Sequence, residues 1–104
     1  VSAPANPLRG EAGLCVGDKL HVLRPSFAAL VAAEAEMGPL FALVERAAEG
    51  RLALGELASL FWHCVKDRPD ALTREAVGEA VVAQGLAAVT PALRVLLGQI
   101  LQGR

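Results

Sequence analysis

Few side chains in this sequence could do chemistry: His21 and His63, Cys15 and Cys64, and a carboxylate, Glu34, on the apolar side of a helix-like segment. His63 and Cys64 are adjacent, the residue types of a thiol nucleophile and its base. Consecutive helical residues point about 100° apart, so the two cannot share one site, and no third group is placed to orient them. Neither cysteine lies in a CxxC or Cys/His ligand spacing, and each reads as a small, buried, reduced thiol. Sequence alone leaves a Cys15–Cys64 disulfide open, although a reducing compartment argues against it. Gly10, Gly13 and Gly17 do not lead from a strand into a helix with phosphate-loop spacing. Ser26, Thr73 and Thr90 read as helix caps, and Arg74, Glu75 and Glu79 as a solvated helical face. No catalytic residue, cofactor or metal site is expected, so the chain reads as a binding protein and not an enzyme.

Two residues stand out as candidates for gripping a partner. Glu34 follows Phe27 by seven residues and Leu30 by four, so it shares their side of a helix. A carboxylate there is costly unless it is paired, bonded to free backbone amides, or at the edge of the buried area. Trp62, the only tryptophan, points to one side of its own helix's apolar stripe. There it can pack on a neighbouring hairpin or anchor a partner helix. Phe27, Leu97 and Leu101 complete the expected partner-binding set.

The elements that must position these residues follow from punctuation and periodicity. Val1–Arg9, with two prolines and no period, reads as a flexible arm; residues 10–104 read as one domain. Glu11–Val16 and Lys19–Leu23 flank Gly17-Asp18, a two-residue hairpin signal. Leu14 and Val16 share one face of this hairpin, as do Leu20 and Val22, which suits a sheet packed on helices. The free strand edge is itself a docking candidate.

Ser26 then caps a first helix with Phe27, Leu30, Val31 and Met37 on one face and Gly38 as its stop. Pro39 suits the first position of a second helix striped by Leu40, Leu43, Val44 and Ala47. A third, about Leu54–Lys66, has the clearest stripe: Leu57, Leu60, Phe61, Cys64 and Val65. Thr73 caps a fourth carrying Val77, Ala80 and Val81, stopped by Gly85. The last carries Leu93, Leu96, Leu97, Ile100 and Leu101. Its start is ambiguous between a cap at Thr90-Pro91 and a kinked helix from about Leu86. The fold class is therefore α+β: an N-terminal two-stranded hairpin packed on four to five helices.

Composition bounds what these elements are for. At 104 residues the chain is one domain, burying roughly two-thirds of its unfolded surface. Yet 54% of its residues are hydrophobic and its mean hydropathy is +0.44. Such a small body cannot hide all of that, so apolar surface is left for a partner or a second copy. Net charge is −1, from 10 basic and 11 acidic residues, with no basic stripe for nucleic acid. The longest charge-free run, Ala80–Leu93, falls short of the ~20 apolar residues of a membrane span. No signal peptide is evident, so a cytoplasmic location is expected.

The opening RGEAGLCVGDKLHVLRPSFAALVAAEAEMG resembles the gene transfer agent tail assembly chaperones, a family of small phage-like proteins. The shared pattern is RGE, a hairpin with a Gly turn, then L-R-x-S/T-x-x-A-L-x-x-x-E-x-x-x-G. Here those positions are Arg9, Gly10, Glu11, Leu23, Arg24, Ser26, Ala29, Leu30, Glu34 and Gly38. EGRLALGELASLFWHCV and TREAVGEAVVAQGL are also similar to that family, so the likeness runs from Arg9 onward. Pro25 departs from the pattern, shortening the second strand. The resemblance implies a non-enzymatic role: binding the tape measure protein, with tail tube subunits polymerising around it. A helix-binding adaptor or regulator unrelated to tails is the alternative.

Overall fold

Gly17 lets the chain reverse on itself. It takes φ +64°, a conformation open to glycine without steric cost. With Asp18 it turns β1 (Ala12–Val16) into β2 (Lys19–Leu23). The structure, a computed structural model, describes residues 10–102; the expected arm at 1–9 lies outside them. The strands pair antiparallel, with Val16 opposite Lys19, Leu14 opposite His21, and Ala12 opposite Leu23.

This register corrects one expectation. Leu14 and Ala12 face the core, and their cross-strand partners are His21 and Leu23. Leu20 and Val22 therefore share the outward face with Cys15 and Gly13, and Leu20 is 50% exposed. A two-residue turn makes the parity unavoidable, because side chains alternate strictly along a strand. Cys15, expected to be buried, is exposed for the same reason.

Five helices follow among the described residues: α1 (Phe27–Met37), α2 (Leu40–Ala48), α3 (Leu54–Cys64), α4 (Arg74–Gln84) and α5 (Leu86–Gln102). The architecture is α+β. Helix α3 is central, with α1 and α4 against it, while α4 and α5 cover β1. Its stripe is buried as read: Leu57, Leu60, Phe61 and Cys64, with Val65 beyond its end. The helix stops two residues early because Val65 turns extended and bridges Leu23. That bridge fastens the hairpin to the helices, and Leu23 beneath it is fully buried.

The caps behave as their side chains predict at two of three places. Ser26 accepts from Ala29 N and Thr73 from Ala76 N. Thr90 is not a cap: α5 starts at Leu86 and runs through Pro91, so the kinked alternative holds. The Thr90 hydroxyl donates to Leu86 O at 2.7 Å within that helix. Pro39 sits one place earlier than expected, as the cap residue of α2. Ala53, ahead of α3, has no side-chain acceptor, but Glu56 reaches back to accept from its backbone N at 3.0 Å. Gly10, buried at the entry to β1, takes φ +74°, and a Cβ there would collide with the Gln99 side chain on α5.

No single helix among the described residues is long and apolar enough to cross a membrane. Consecutive helices fold back sharply, by 80° between α1 and α2 and by 120° between α4 and α5.

The register yields a direct test. Leu23→Ala should cost about 2–5 kcal/mol, since it empties a fully enclosed site, whereas Leu20→Ala should stay within about 0.5 kcal/mol. Urea unfolding of both variants checks this; equal losses would mean that Leu20 also faces the core.

Candidate functional site

The outward side of α1 is apolar and open to solvent. Its core side is formed by Ala29, Leu30, Ala33 and Met37, with Ala33 completely enclosed. This corrects the expected stripe, because Phe27 is 86% exposed and Val31 is also open. At 100° per residue, Phe27, Ala28, Val31, Ala32 and Ala35 gather on the side away from the core, and all five are exposed. That side holds no polar residue.

The two acids of α1 lie on its flanks, and each is engaged by a neighbour. Glu34 is exposed, not on the buried side, and accepts from Leu40 N at 3.0 Å. It thus satisfies an orphan amide at the start of α2, a role a carboxylate also favours through the helix dipole. Glu36, on the other flank, accepts from His63 Nε2 at 2.8 Å and pairs with Arg74. The hydrogen bond from His63 is the largest influence lowering the Glu36 carboxyl below its ordinary 4.5, aided by Arg74 and opposed by desolvation.

Trp62 belongs to this same cluster. Its Nε1 donates to Leu72 O at 3.0 Å, in the segment that links α3 to α4, and the residue is half-buried. The Arg68 guanidinium lies 3.6 Å from the ring centroid and that of Arg74 4.5 Å. Arg68 also donates to Trp62 O at 3.0 Å. His63 meets the indole edge-on, with ring centroids 5.0 Å apart. Each cation–π contact contributes about 0.5–1 kcal/mol at such partly open sites. Arg74, read from sequence as merely solvated, thus bridges α1, α3 and α4. His63 Nε2 and Arg74 Nη1 each hold one oxygen of Glu36, so this trio clamps three helices together.

The remaining candidates are scattered. Leu97 is half-buried on α5 and Leu101 is exposed near its end. A mostly apolar groove, about 630 Å³, lies between α3 and α4, lined by Leu54, Gly55, Ala58, Gly78 and Val82 together with Glu75 and Glu79. Cys64 is sealed in the core, where burial pushes its thiol from 9.0 to about 12, and no disulfide joins it to Cys15. Among the described residues no three His, Cys, Asp or Glu side chains converge as metal ligands would.

Comparison with known families decides the chain's affiliation. The family described as "Phage tail tube protein, GTA-gp10" matches residues 9–103. The chain belongs to that family. No curated protein and no solved structure matches it. Membership places the chain among gene transfer agent and phage tail proteins, as the sequence resemblance implies. The description speaks of a tail tube protein, where the resemblance implies an assembly chaperone; the tail is common to both.

The sequence pattern by which the chain resembles its tail relatives is structural at each described position that can be traced. Leu23 fills the core, Ser26 caps α1, and Ala29 and Leu30 face inward. Glu34 caps α2, and Gly38 closes α1 at φ +88° with its N–H on Glu34 O. The apolar positions on the outer side of α1 lie between these motif residues, so the motif fixes which way that side faces.

The clamp has a pH signature. Because the Glu36 pKa is depressed, its stabilisation is present above 4.5 and is lost as pH falls through the folded-state value. Glu36→Gln should lower Tm near neutrality, and the gap to the parent should close progressively below that pH. A gap unchanged from neutral to acid conditions would show that the charge contributes nothing.

Proposed function

We propose that this tail-family protein is a non-enzymatic assembly chaperone that acts in the cytoplasm by binding the tape measure protein while tail tube subunits assemble around it. The observation that carries this reading is the outer side of α1. A helix face made only of apolar residues is ordinarily buried, yet the outer face of α1 leaves Phe27 and Val31 open to solvent. Alanines at 28, 32 and 35 keep the surface shallow, so a partner helix can approach closely while Phe27 fits between its side chains. A long apolar helical partner is the chemistry this surface suits. Phe41, 81% exposed at the start of α2, adds a second aromatic anchor.

The family's description favours a second reading, that of a tail tube subunit. A tube must propagate through repeated contacts between identical copies, which need complementary faces on opposite sides of each subunit. The hairpin is poorly suited to sheet-to-sheet propagation. Helices α4 and α5 cover β1, with Gln84 Nε2 donating to Cys15 O at 2.7 Å, and part of the β2 edge is taken by Val65. An unrelated helix-binding adaptor would use the same α1 surface but would not recognise tail components.

Co-expression with the tape measure protein tests the choice. The chaperone reading expects a stable complex, and Phe27→Glu or Val31→Glu should weaken it at least about tenfold, with stability changed by no more than about 0.5 kcal/mol. Mass spectrometry of finished tails should find the protein absent. Stoichiometric recovery from the tube would establish the subunit reading, and binding unaffected by either substitution would remove α1 from the interface.

A further inference from the structure

The edge of β2 turned away from β1 is only half occupied. Arg24 N donates to Cys64 O at 2.7 Å and Lys66 N to Val22 O at 2.8 Å, on either side of the Leu23–Val65 bridge. Backbone groups alternate in direction along an antiparallel strand. The N–H and C=O of Leu20 and the N–H of Val22 therefore point to the same outer edge as Val22 O. No backbone partner takes them up among the described residues. The returning segment fails to continue because Asp67 adopts φ +52° and turns the chain away. What remains is a cleft of about 640 Å³, with Lys19, Leu20 and Val22 on one wall and Lys66, Asp67 and Pro69 on the other.

The cleft has a preferred sign of charge. Lys19 and Lys66 are the chain's only two lysines, and both line it, with His21 nearby and Asp67 as the one acid. Lysine on an open edge opposes pairing with a second copy, which would bring its own lysines to the same place. The same lysines attract a strand that carries carboxylates, since opposite charges across a strand pair stabilise it.

We propose that the open half of the β2 edge takes up an extended, carboxylate-bearing segment of a partner protein as a third strand. Main-chain bonds to Leu20 and Val22 hold the segment, and Lys19 and Lys66 select its acids. The side chain of Leu20 supplies an apolar platform on the outward face of the hairpin. This site is distinct from the outer side of α1 and does not depend on the partner being a tail component.

The test is an NMR titration of the full chain with a blocked hexapeptide of alternating Glu and Val. Shifts should be confined to residues 19–23 and 65–69, and the Leu20 and Val22 amides should become protected from hydrogen exchange. A hexapeptide of alternating Lys and Val should not bind, and N-methylating the edge-facing amides of the acidic peptide should abolish its binding without altering the protein. Lys19→Glu and Lys66→Glu should each weaken binding about threefold, with Tm monitored to confirm folding. Equal binding of the basic peptide, shifts centred elsewhere, or no shift at roughly millimolar acidic peptide would overturn the proposal. So would a Leu20 amide already protected in the free protein, which would mean that its own chain or a second copy occupies the edge.

Discussion

The rotational setting of α1 about its own axis is the constraint on which the character of this molecule's surface depends. Two carboxylates fix it from opposite flanks, Glu34 on the first amide of α2 and Glu36 on His63 and Arg74. With both held, the helix can present only Ala29, Leu30, Ala33 and Met37 to the core. Small Ala33 lets α1 lie close on α3, and the larger Phe27 and Val31 are left outside. Each contact is modest, because solvent screens charges held this close to the surface. Their combined effect is directional: they select one face among several that are almost equally apolar.

The hairpin is fastened by a different device. Alone it would be marginal in water. One bridge, Leu23 to Val65, adds a fragment of third strand at the end of the central helix and seals Leu23 completely. On the other side α4 and α5 lean on β1, so the sheet has one covered edge and one partly open edge. The family motif lies across this junction, running from the last residue of β2 through α1 to its closing glycine. Its described residues orient surfaces more than they form one.

How much was legible in the sequence depended on how unequal the faces of each element were. The stripe of α3 could be read because Leu57, Leu60, Phe61 and Cys64 contrast with Glu56, Ser59 and His63 between them. The turn at Gly17 and the caps at Ser26 and Thr73 are local chemistry, and they hold. On α1 periodicity carries no signal, since both sides are apolar and only contacts distant in sequence choose between them. The two faces of β2 were readable in principle, because a two-residue turn fixes parity, but Leu20 and Val22 looked like core residues by type. The clamp of Glu36, His63, Trp62 and Arg74 left no trace in spacing, its members being brought together by three separate helices. Thr90 misled because a Thr-Pro pair serves equally at a helix start and within a bent one.

The unequal fates of the two sulfurs have a consequence of their own. Cys64 lies inside, with its thiol held protonated far above neutral pH, while Cys15 stands on the outward face of the hairpin. Each molecule therefore offers a single accessible thiol, and oxidation cannot close a loop within one chain. A disulfide made by an added oxidant would therefore have to join Cys15 to a thiol outside its own chain, and its reduction would leave the interior untouched.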